Sequence, residues 1–580
     1  MPFGARQPIE QGAQLAEHRH RVIDAWRSRP WAMSQSEVPW DQLARESILL
    51  QAVSVWRGDP ENWLAGSFNR LPETVRVNPL RSDSEWTESW LEGIGSERIE
   101  WFTGPGSAWT LPFNRGAAEG DIREMLADLH ETGRLTRQEA VSMLPAIALD
   151  AQPGEVVLDM CASPGSKTTQ ISEHLGEAGA VFANEVVNSR VNMLVTNVQR
   201  HGSRTPVVVH HDGRYIPRVP ESGFDRILVD VPCTGSGTTR KNPDVWGKWL
   251  PSGGRSLHDL QVALLSRAVA LVKPGGRVVY ATCSLDPVED EAVVAEVLRN
   301  SEGVDMKSVM ELLPGVPGEA GRADWPSLDD GGGVAVVEMP ESMQPPSEQG
   351  IASQLPRSMR VWNDKIGGGG FFLAVLEKSE DAPERPAPEV EVKMTAEEVK
   401  PDSDHSPRPI PDEVASVVES AWGALPDNLW LRGKRLLLST PEVHDVWGSE
   451  RSRRGGRTRI PGGRWRPLKV IHLGLSAARL RGGVVERIVA GAAHELAPRL
   501  PNASSEVDGA LIDGLLADEE MSPDEAGVNA VRGGHILIDR ATRDCVPVWV
   551  GVRVSLMLGK AERRILSLKR GLSITEKEEE

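Results

Sequence analysis

The chain has 580 residues, more than one hydrophobic core usually organises, so we expect several domains. Its hydrophobic fraction of 39% and charged fraction of 26% are close to those of globular proteins. Because no run of about 20 apolar residues occurs, a membrane-spanning helix is not expected, and the first residues lack the basic and apolar regions of a secretory signal. These features predict an intracellular, cytoplasmic protein, or a nuclear one if the source is a eukaryote.

The net charge of −18 argues against polyanion binding over the whole surface, which normally requires an excess of basic residues. The charge is nevertheless segregated along the chain. Acidic residues concentrate between Lys378 and Glu413, whereas a basic run in the last third contains Arg451, Arg453, Arg454, Arg457, Arg459, Arg464, Arg466 and Lys469. On sequence alone this run fits a flexible arm that neutralises phosphates and a solvated loop equally well.

Two small modules are predicted at the start of the chain. Residues 1–70 show helical periodicity and contain several tryptophans, which we interpret as core anchors of a helical extension rather than as platforms for stacked bases. Residues 71–119 are strand-like and turn-like, which indicates a small appended α+β subdomain.

Between residues 120 and 377, apolar β-branched runs alternate with helical segments. This alternation predicts parallel βαβ units in a Rossmann-like α/β domain. A doubly wound sheet of this kind binds its ligands at the carboxyl ends of the strands. The predicted strands lie at residues 156–160, 180–184, 207–210, 227–231 and 277–282, with one more at 371–376.

The remaining residues divide into a linker and a final domain. Residues 378–412 are rich in Pro, Glu and Asp and poor in aromatics, as is typical of a solvated linker. Residues 413–580 are predicted to form a small β-rich domain. Its strand-like runs are 435–439, 469–473, 534–538 and 546–552.

A tight loop with Pro164 and Gly165 joins the first predicted strand of the main domain to a helix. Backbone amides can approach a ligand closely there, and the helix start supplies unpaired N–H donors. Ser166-Lys167-Thr168 resembles the end of a nucleotide phosphate loop, but the glycines that such a loop requires would fall at Cys161 and Ser166, so this alternative is rejected.

Acidic residues follow four successive predicted strands, at Asp159, Glu185, Asp212 and Asp230. Glu185 lies twenty residues beyond Gly165, where a carboxylate can accept both ribose hydroxyls of an adenosine. The glycine fingerprint for a pyrophosphate is missing. The pattern therefore favours S-adenosylmethionine, a nucleoside cofactor without a pyrophosphate.

The four cysteines, Cys161, Cys233, Cys283 and Cys545, contain no CxxC pair, so neither a zinc site nor a disulfide framework is expected. Cys233 and Cys283 each follow a predicted strand, which brings both thiols towards the cofactor edge. A thiolate that adds to carbon 6 of cytosine makes carbon 5 nucleophilic enough to accept a methyl group. This chemistry alone leaves open which thiol attacks. Cys161 and Cys545 are interpreted as packing residues.

Four segments resemble the Sun-domain family of RNA cytosine-C5 methyltransferases, in order and in spacing. They are Arg137–Pro145 (RQEAVSMLP), Asp159–Thr168 (DMCASPGSKT), Asp230–Asn242 (DVPCTGSGTTRKN) and Thr282–Glu291 (TCSLDPVEDE). The resemblance extends from about Leu71 to Leu376. The RQEAVSM segment and Asp244-Val-Trp246 are most similar to the branch that methylates tRNA.

The resemblance implies that Cys283 is the nucleophile, that Cys233 assists release and that Asp230 and Lys167 contact the cytosine. It also implies a cofactor site made of Cys161, Ala162, Ser163, Pro164, Gly165, Ser166, Lys167, Glu185, Arg190, Asp212 and Asp230. The expected partner is tRNA, with rRNA or another structured RNA as the nearest alternative. A DNA methyltransferase would attack through Cys233 instead, and a noncatalytic RNA-binding scaffold would have no need of both cysteines.

Further RNA contacts are expected outside the cysteine loops. The segment 240–248, which includes Arg240, Lys241 and Trp246, is predicted to reach phosphates beside the target base. Arg76 and Asn78 match family positions in the appended subdomain, and the C-terminal strands loosely resemble a PUA-like RNA-binding module, with residues 470–474 the nearest match.

Overall fold

The computed structural model describes residues 38–382, 407–448 and 468–572, apart from 221, 332, 335–338, 483 and 529–531. The arginines of the basic run, Arg451 to Arg466, lie outside the described residues, as does most of the predicted linker. Within the described ranges, every helix is too short or too polar to cross a bilayer.

The chain first forms three short helices, of which the second has well-defined ends. The Ser47 side chain accepts a hydrogen bond from the Leu50 backbone at its start, and Gly58 adopts a left-handed conformation at its end. The helices are α1 (Trp40–Arg45), α2 (Ile48–Arg57) and α3 (Glu61–Phe68).

Tryptophans attach these helices to the main domain. Trp56 meets Trp249 edge to face, with 5.5 Å between ring centroids, and Trp63 meets Trp246 in the same way at 5.3 Å. All four side chains are buried in one apolar cluster. The tryptophans of this extension that the structure describes therefore contribute mainly to packing, as the sequence pattern indicates.

A four-stranded antiparallel sheet in the order β2-β3-β1-β4 follows. Its elements are β1 (Pro72–Val77), α4 (Ser84–Gly93), β2 (Glu97–Arg98), β3 (Ser107–Asn114), α5 (Gly120–Glu131) and β4 (Leu135–Arg137). Because β4 pairs with β1, this appended sheet continues beyond residue 119 to Arg137.

The main domain is built on the predicted Rossmann-like sheet, which the structure confirms. Its order is β11-β12-β13-β9-β8-β5-β6-β7-β17, with β10 on β13. Its elements before the last edge strand are α6 (Leu144–Leu149), β5 (Val156–Asp159), α7 (Ser166–Leu175), β6 (Ala180–Asn184), α8 (Asn188–His201), β7 (Pro206–Val209), β8 (Phe224–Asp230), α9 (Val245–Lys248), α10 (Pro251–Leu271), β9 (Val272–Thr282), α11 (Glu291–Arg299), β10 (Val304–Lys307), α12 (Val309–Leu312), β11 (Glu319–Ala320), α13 (Gln349–Ala352), β12 (Met359–Val361) and β13 (Phe371–Lys378).

The strands β5 to β9 are parallel, and their order reverses between β5 and β8. From β5 the chain builds outwards through β6 to β7, and from β8 it builds the other way to β9. The loops after β5 and β8 therefore diverge and leave a crevice at the carboxyl edge of the sheet, which is where such sheets bind ligands.

The C-terminal part forms two further sheets, β14-β15-β16-β18-β19 and β20-β21-β22-β23. Its elements are β14 (Arg408–Pro409), α14 (Asp412–Trp422), β15 (Leu429–Arg432), β16 (Arg435–Leu438), α15 (Pro441–Gly448), β17 (Val470–Leu473), β18 (Leu475–Arg481), β19 (Val484–Ile488), α16 (Ala493–Leu496), β20 (Ser504–Val507), α17 (Gly509–Leu516), β21 (Gly533–Asp539), β22 (Cys545–Val550), β23 (Val554–Leu556) and α18 (Lys560–Lys569).

Strand β17 does not join either C-terminal sheet, although its sequence pattern places it with them. It pairs antiparallel with β7, with Val470 opposite Val209, and so extends the Rossmann-like sheet. The physical reason is that β7 would otherwise be an apolar edge strand with unpaired backbone groups. The C-terminal part is thereby attached to the catalytic sheet through a shared strand pair.

A buried ion pair links the appended sheet to the main domain. The Nε of Arg76 on β1 lies 2.5 Å from Oε2 of Glu173 on α7, and both side chains are almost completely buried. His201 hydrogen-bonds the other carboxylate oxygen at 3.0 Å, and the Asn78 amide donates to the backbone oxygens of Gly133 and His201. Arg76 and Asn78 are therefore structural residues rather than exposed RNA contacts.

We predict that Arg76→Ala destabilises the protein by about 3–5 kcal/mol, because it leaves the Glu173 carboxylate buried without its cation. Thermal and urea unfolding followed by circular dichroism measure the effect. The matched control is Arg45→Ala, which removes an exposed ion pair with Asp41 and is expected to cost less than about 1 kcal/mol. If the two variants had the same free energy of unfolding, the buried ion pair would contribute no more to stability than the exposed one, which would contradict the prediction.

Candidate active site

The two cysteine loops meet because their strands are neighbours. Strand β8 ends at Asp230 and β9 at Thr282, and Asp230 lies opposite Ala281 in the parallel ladder. The chain then turns into the Cys233 loop on one side and into Cys283 on the other. The two Sγ atoms lie 3.2 Å apart.

A cavity of about 640 Å³ opens beside these loops, between the appended sheet and the carboxyl edge of the main sheet. We refer to it as the catalytic cavity. Cys283 lines it together with Lys167, Asp230 and Phe371, whereas Cys233 does not. Of the two adjacent thiols, Cys283 is therefore the one that faces the cavity.

The two thiols also differ in their electrostatics. The pKa of Cys233 is raised well above its ordinary value, first by its hydrogen bond with Cys283, then by burial and by the charge that Cys283 carries when ionised. The raised pKa favours the protonated form of Cys233, which is able to donate a hydrogen bond to an ionised Cys283 sulfur. A thiolate, not a thiol, is the attacking species in sulfur chemistry, so this arrangement favours Cys283 as the nucleophile.

Lys167 and Asp230 form a charged pair on the cavity wall. The Lys167 Nζ lies 2.7 Å from Oδ2 of Asp230 and donates a second hydrogen bond to the Ser142 hydroxyl at 3.0 Å. Burial alone would lower the pKa of Lys167, but Asp230 outweighs it and keeps that pKa above its ordinary value. The pair presents a fixed cationic donor and a carboxylate to the same cavity as Cys283.

The Glu289 carboxylate connects the residues that follow each cysteine. It accepts hydrogen bonds from the backbone N–H and hydroxyl of Thr234, next to Cys233, and from the Ser284 hydroxyl, next to Cys283. Its Oε1 also accepts from the Gln261 amide at 3.0 Å. Because Glu289 is completely buried, it holds the two loops in a fixed relation.

A buried acidic group supports this region from behind. Arg360 pairs with Glu291 and lies 3.2 Å from Oδ2 of Asp290. Burial raises the pKa of Asp286 to about 7, with nearby Glu289 as the next cause. The TCSLDPVEDE motif is therefore mostly an internal scaffold, and only its cysteine reaches the catalytic cavity.

The loop after β5 packs closely against α8. Gly165 has a φ of +112°, and a Cβ at this position would meet the Leu194 side chain at 3.0 Å. Arg190 donates to the Ser163 carbonyl at 2.8 Å and so fixes the loop against α8. Helix α7 begins at Ser166, so its free N–H groups face the crevice.

The predicted acidic residues do lie at neighbouring strand ends. Glu185 follows β6 and its backbone N–H donates to Val209 on β7, while Asp212 caps the short turn after β7. Asp159 at the end of β5 has a pKa raised to about 7 by burial. Its Oδ1 is buried without a hydrogen-bond partner among the described residues.

Cys161 lies inside this loop but is not a reactive thiol. Burial raises its pKa strongly, and the nearby carboxylates of Asp159, Asp230 and Glu185 raise it further. Cys161 packs against the core of the main sheet. Cys545 lies on β22, far along the chain in the C-terminal part, and burial raises its pKa to about 11.

The expectation for segment 240–248 needs correction. The Arg240 guanidinium donates to the backbone oxygens of Asn69, Arg70 and Gly368. Its hydrogen bonds therefore connect parts of the protein that are distant along the chain. Trp246 is buried against the N-terminal helices. Of the predicted contacts in this segment, Lys241 is the one that lines the catalytic cavity.

Sequence reasoning did not identify Ser142, Glu289 or Arg200. Ser142 and Glu289 stand inside motifs that were recognised, but a motif does not tell which of its members touches Lys167 or the cysteine loops. Arg200 lines the catalytic cavity from α8 and has no motif signal. A basic residue in the last turn of the helix that follows β6 was the available clue.

The sheet order, the glycine loop after β5 and the paired cysteines together define a Rossmann-like methyltransferase. Residues 146–334 match the family model described as 16S rRNA methyltransferase RsmB/F. The chain is 35% identical over 262 residues to a tRNA (cytosine(49)-C(5))-methyltransferase of Pyrococcus abyssi, and the match covers 45% of this chain and 81% of that protein. The chain therefore belongs to the Sun-domain family of RNA cytosine-C5 methyltransferases.

Two eukaryotic relatives match a smaller share of their own length. A multisite-specific tRNA:(cytosine-C(5))-methyltransferase of Saccharomyces cerevisiae is 40% identical over 274 residues, which cover 43% of this chain and 40% of that protein. A tRNA (cytosine(34)-C(5))-methyltransferase of Drosophila melanogaster is 37% identical over 406 residues, with 59% and 54% covered. The chain thus spans about half the length of these relatives or less.

We predict that Cys283→Ala lowers the pKa of Cys233, because it removes the hydrogen bond and the charge that raise it. The pH profile of Cys233 alkylation by iodoacetamide, read by peptide mass spectrometry, should shift to lower pH. Cys161→Ala serves as the control and should leave the profile in place. An unchanged profile in Cys283→Ala would show that the two thiols are not coupled.

Proposed function

We propose that the chain methylates carbon 5 of cytosine in tRNA, with S-adenosylmethionine as methyl donor and Cys283 as the covalent nucleophile. The observation that carries this proposal is the geometry of the two thiols. Cys283 lines the catalytic cavity, and Cys233 lies directly behind it with a raised pKa. Family membership supports the reaction class.

The residues at the carboxyl edge fit the cofactor. Gly165 lets the loop after β5 pack closely on α8, where a Cβ would meet Leu194, and Glu185 and Asp212 offer carboxylates after β6 and β7 for ribose hydroxyls and nearby donors. The buried Oδ1 of Asp159 has no hydrogen-bond partner among the described residues and can therefore accept a hydrogen bond from a ligand. When bound, S-adenosylmethionine supplies an electrophilic methyl group to carbon 5.

In the first step the Cys283 thiolate adds to carbon 6 of the cytosine and the ring gains electron density. Lys167 is placed to stabilise this density by hydrogen bonding to a ring acceptor, and Asp230 to accept from the exocyclic amino group. Ser142 and Asp230 hold the Lys167 ammonium in place. Carbon 5 then becomes nucleophilic and takes the methyl group.

Release requires a base for the carbon 5 proton, after which the sulfur–carbon 6 bond breaks and Cys283 leaves as a thiolate. Bond formation by Cys283 removes the charge and the hydrogen bond that raise the Cys233 pKa. The Cys233 pKa therefore falls at this stage, so that Cys233 gives up its own proton to solvent and its thiolate takes the proton from carbon 5. The contact between the two sulfur atoms would thus make proton removal from carbon 5 follow the formation of the Cys283 adduct.

The names of the relatives support tRNA as substrate. The proteins from Saccharomyces cerevisiae, Drosophila melanogaster and Pyrococcus abyssi are all named for tRNA. The matching family model is named for 16S rRNA, which keeps rRNA as the second candidate. Bisulfite sequencing of the RNA after reaction identifies the methylated cytosine and separates the two.

We predict that Cys283→Ala abolishes transfer of labelled methyl to tRNA, because no adduct can form at carbon 6. Cys233→Ala should instead accumulate a covalent protein–RNA complex that is visible on denaturing gels, because addition proceeds and release stalls. Activity that survives in Cys283→Ala would contradict the mechanism.

The same assay distinguishes the rival functions. A DNA methyltransferase would label DNA and depend on Cys233 for attack. A noncatalytic scaffold would bind RNA without transferring methyl, and neither cysteine substitution would alter binding.

We also predict that Glu289→Gln lowers kcat for tRNA methylation by at least about 10-fold while KM changes little, because it loosens the cysteine loops without touching the cavity wall. Gln keeps the size but replaces one acceptor oxygen by a donor. A second measurement adds Glu289→Gln to the Cys233→Ala variant. The fraction of enzyme trapped as the covalent adduct should then fall, a change that a purely structural role would not produce. Glu302→Gln, an exposed acid, is the control and should behave like the parent enzyme.

A further inference from the structure

Four arginines form a line across the five-stranded C-terminal sheet. Arg432 on β15 lies opposite Arg435 on β16, Arg435 opposite Arg479 on β18, and Arg479 opposite Arg487 on β19. Residues directly opposite each other in antiparallel strands share one face of the sheet. The four side chains therefore start from one face in a single row, which we call the arginine row.

The row lies on the face that is turned towards the main domain. The other face, with Leu436 and Ala478, packs inside the C-terminal part. On the row's own face, Trp430 and Leu437 pack into the core of the main sheet. The arginine row thus continues the contact surface between the two parts, at the point where apolar packing ends.

His472 on β17 ties the row to the catalytic side. Its pKa is lowered to about 3, first by burial and then by the charges of Arg432 and Arg435. His472 is also 3.5 Å from the Gln199 amide on α8, and the next residue, Arg200, lines the catalytic cavity. The contacts of His472 therefore connect the arginines of the row with α8, which carries a residue of the cavity wall.

The three exposed arginines of the row, Arg435, Arg479 and Arg487, carry an electrostatic cost because they lie opposite one another. Like charges placed opposite each other in a sheet are destabilising. Arg435, Arg479 and Arg487 are exposed, and within the described ranges no carboxylate lies at ion-pair distance from any of these three. The chain has a net charge of −18, yet in the part that the structure describes these arginines lie together without an acidic partner. A bound anion would therefore reduce the repulsion between them.

We propose that the arginine row is a second RNA-binding surface, which holds backbone phosphates of the substrate RNA away from the target base. This rests on the proposed function for the identity of the anion. Strands lie about 4.8 Å apart, so the three exposed arginines extend over about 10 Å, a length that suits a run of phosphates rather than one small anion. The guanidinium fork matches phosphate geometry.

The test compares two triple variants of the full chain. Arg435→Gln/Arg479→Gln/Arg487→Gln removes the exposed part of the row. The control Arg540→Gln/Arg543→Gln/Arg553→Gln removes the same charge from exposed turn positions beside the second C-terminal sheet, where Arg543 pairs with Glu506 and Arg553 with Glu520. Binding of an unmodified tRNA transcript is measured from 50 to 200 mM salt without cofactor, and folding is checked by thermal melting.

We expect the row variant to bind tRNA about 10-fold or more weakly, with the slope of log K against log salt reduced by about 2–3, one unit for each lost phosphate contact. The control variant should match the parent. In methylation assays, the row variant should raise KM for tRNA and leave kcat unchanged, while a short oligonucleotide around the target cytosine should react equally with both.

Equal affinity and equal salt slope for the two variants would overturn the proposal. So would a row that binds polyglutamate but not RNA, since that result would point to an acidic protein partner. The binding outcomes do not depend on turnover. A failure of methylation in the parent enzyme refutes the proposed function, whereas unchanged RNA binding by the row variant refutes the proposal that the arginine row binds RNA.

Discussion

The catalytic arrangement depends on one buried carboxylate. Glu289 accepts hydrogen bonds from the residues that follow both cysteines, and so converts two loops from neighbouring strands into one unit. A buried carboxylate is stable only when its oxygens are satisfied, and here the partners that satisfy it are the loops themselves. The contact between the two sulfurs, and with it the difference between the two thiols, follows from this arrangement.

Around this unit the protein places buried charge where modules meet. Arg76 and Glu173 join the appended sheet to α7, and Arg360 and Glu291 support the loop that follows Cys283. Such pairs add little net stability over apolar packing but penalise any other arrangement of the partners. The catalytic cavity lies between modules, so its shape depends on how those modules are set against each other.

The fold of the main domain follows closely from local sequence patterns. Alternating apolar runs and helical segments predicted the parallel sheet, and turn residues after the strands predicted its ligand edge. The resemblance to the Sun-domain family supplied the motifs. The prediction of the sheet is confirmed, because hydrophobic periodicity and turn chemistry are local properties. The contacts of Arg76, Arg240 and Trp246 were not predictable, because exposed and buried arginines or tryptophans look alike in a sequence.

The sequence by itself determined the class of sheet, the chemical groups at its carboxyl edge and the two cysteines on which the proposed chemistry rests. Only the tertiary structure decided that Cys283 faces the cavity while Cys233 stands behind it, and that β17 leaves its own module to cover the edge of β7. It alone aligned four arginines from four strands. Strand pairing and loop contact join residues that are distant along the chain, and which partners meet depends on the edges and cavities that the whole fold leaves open.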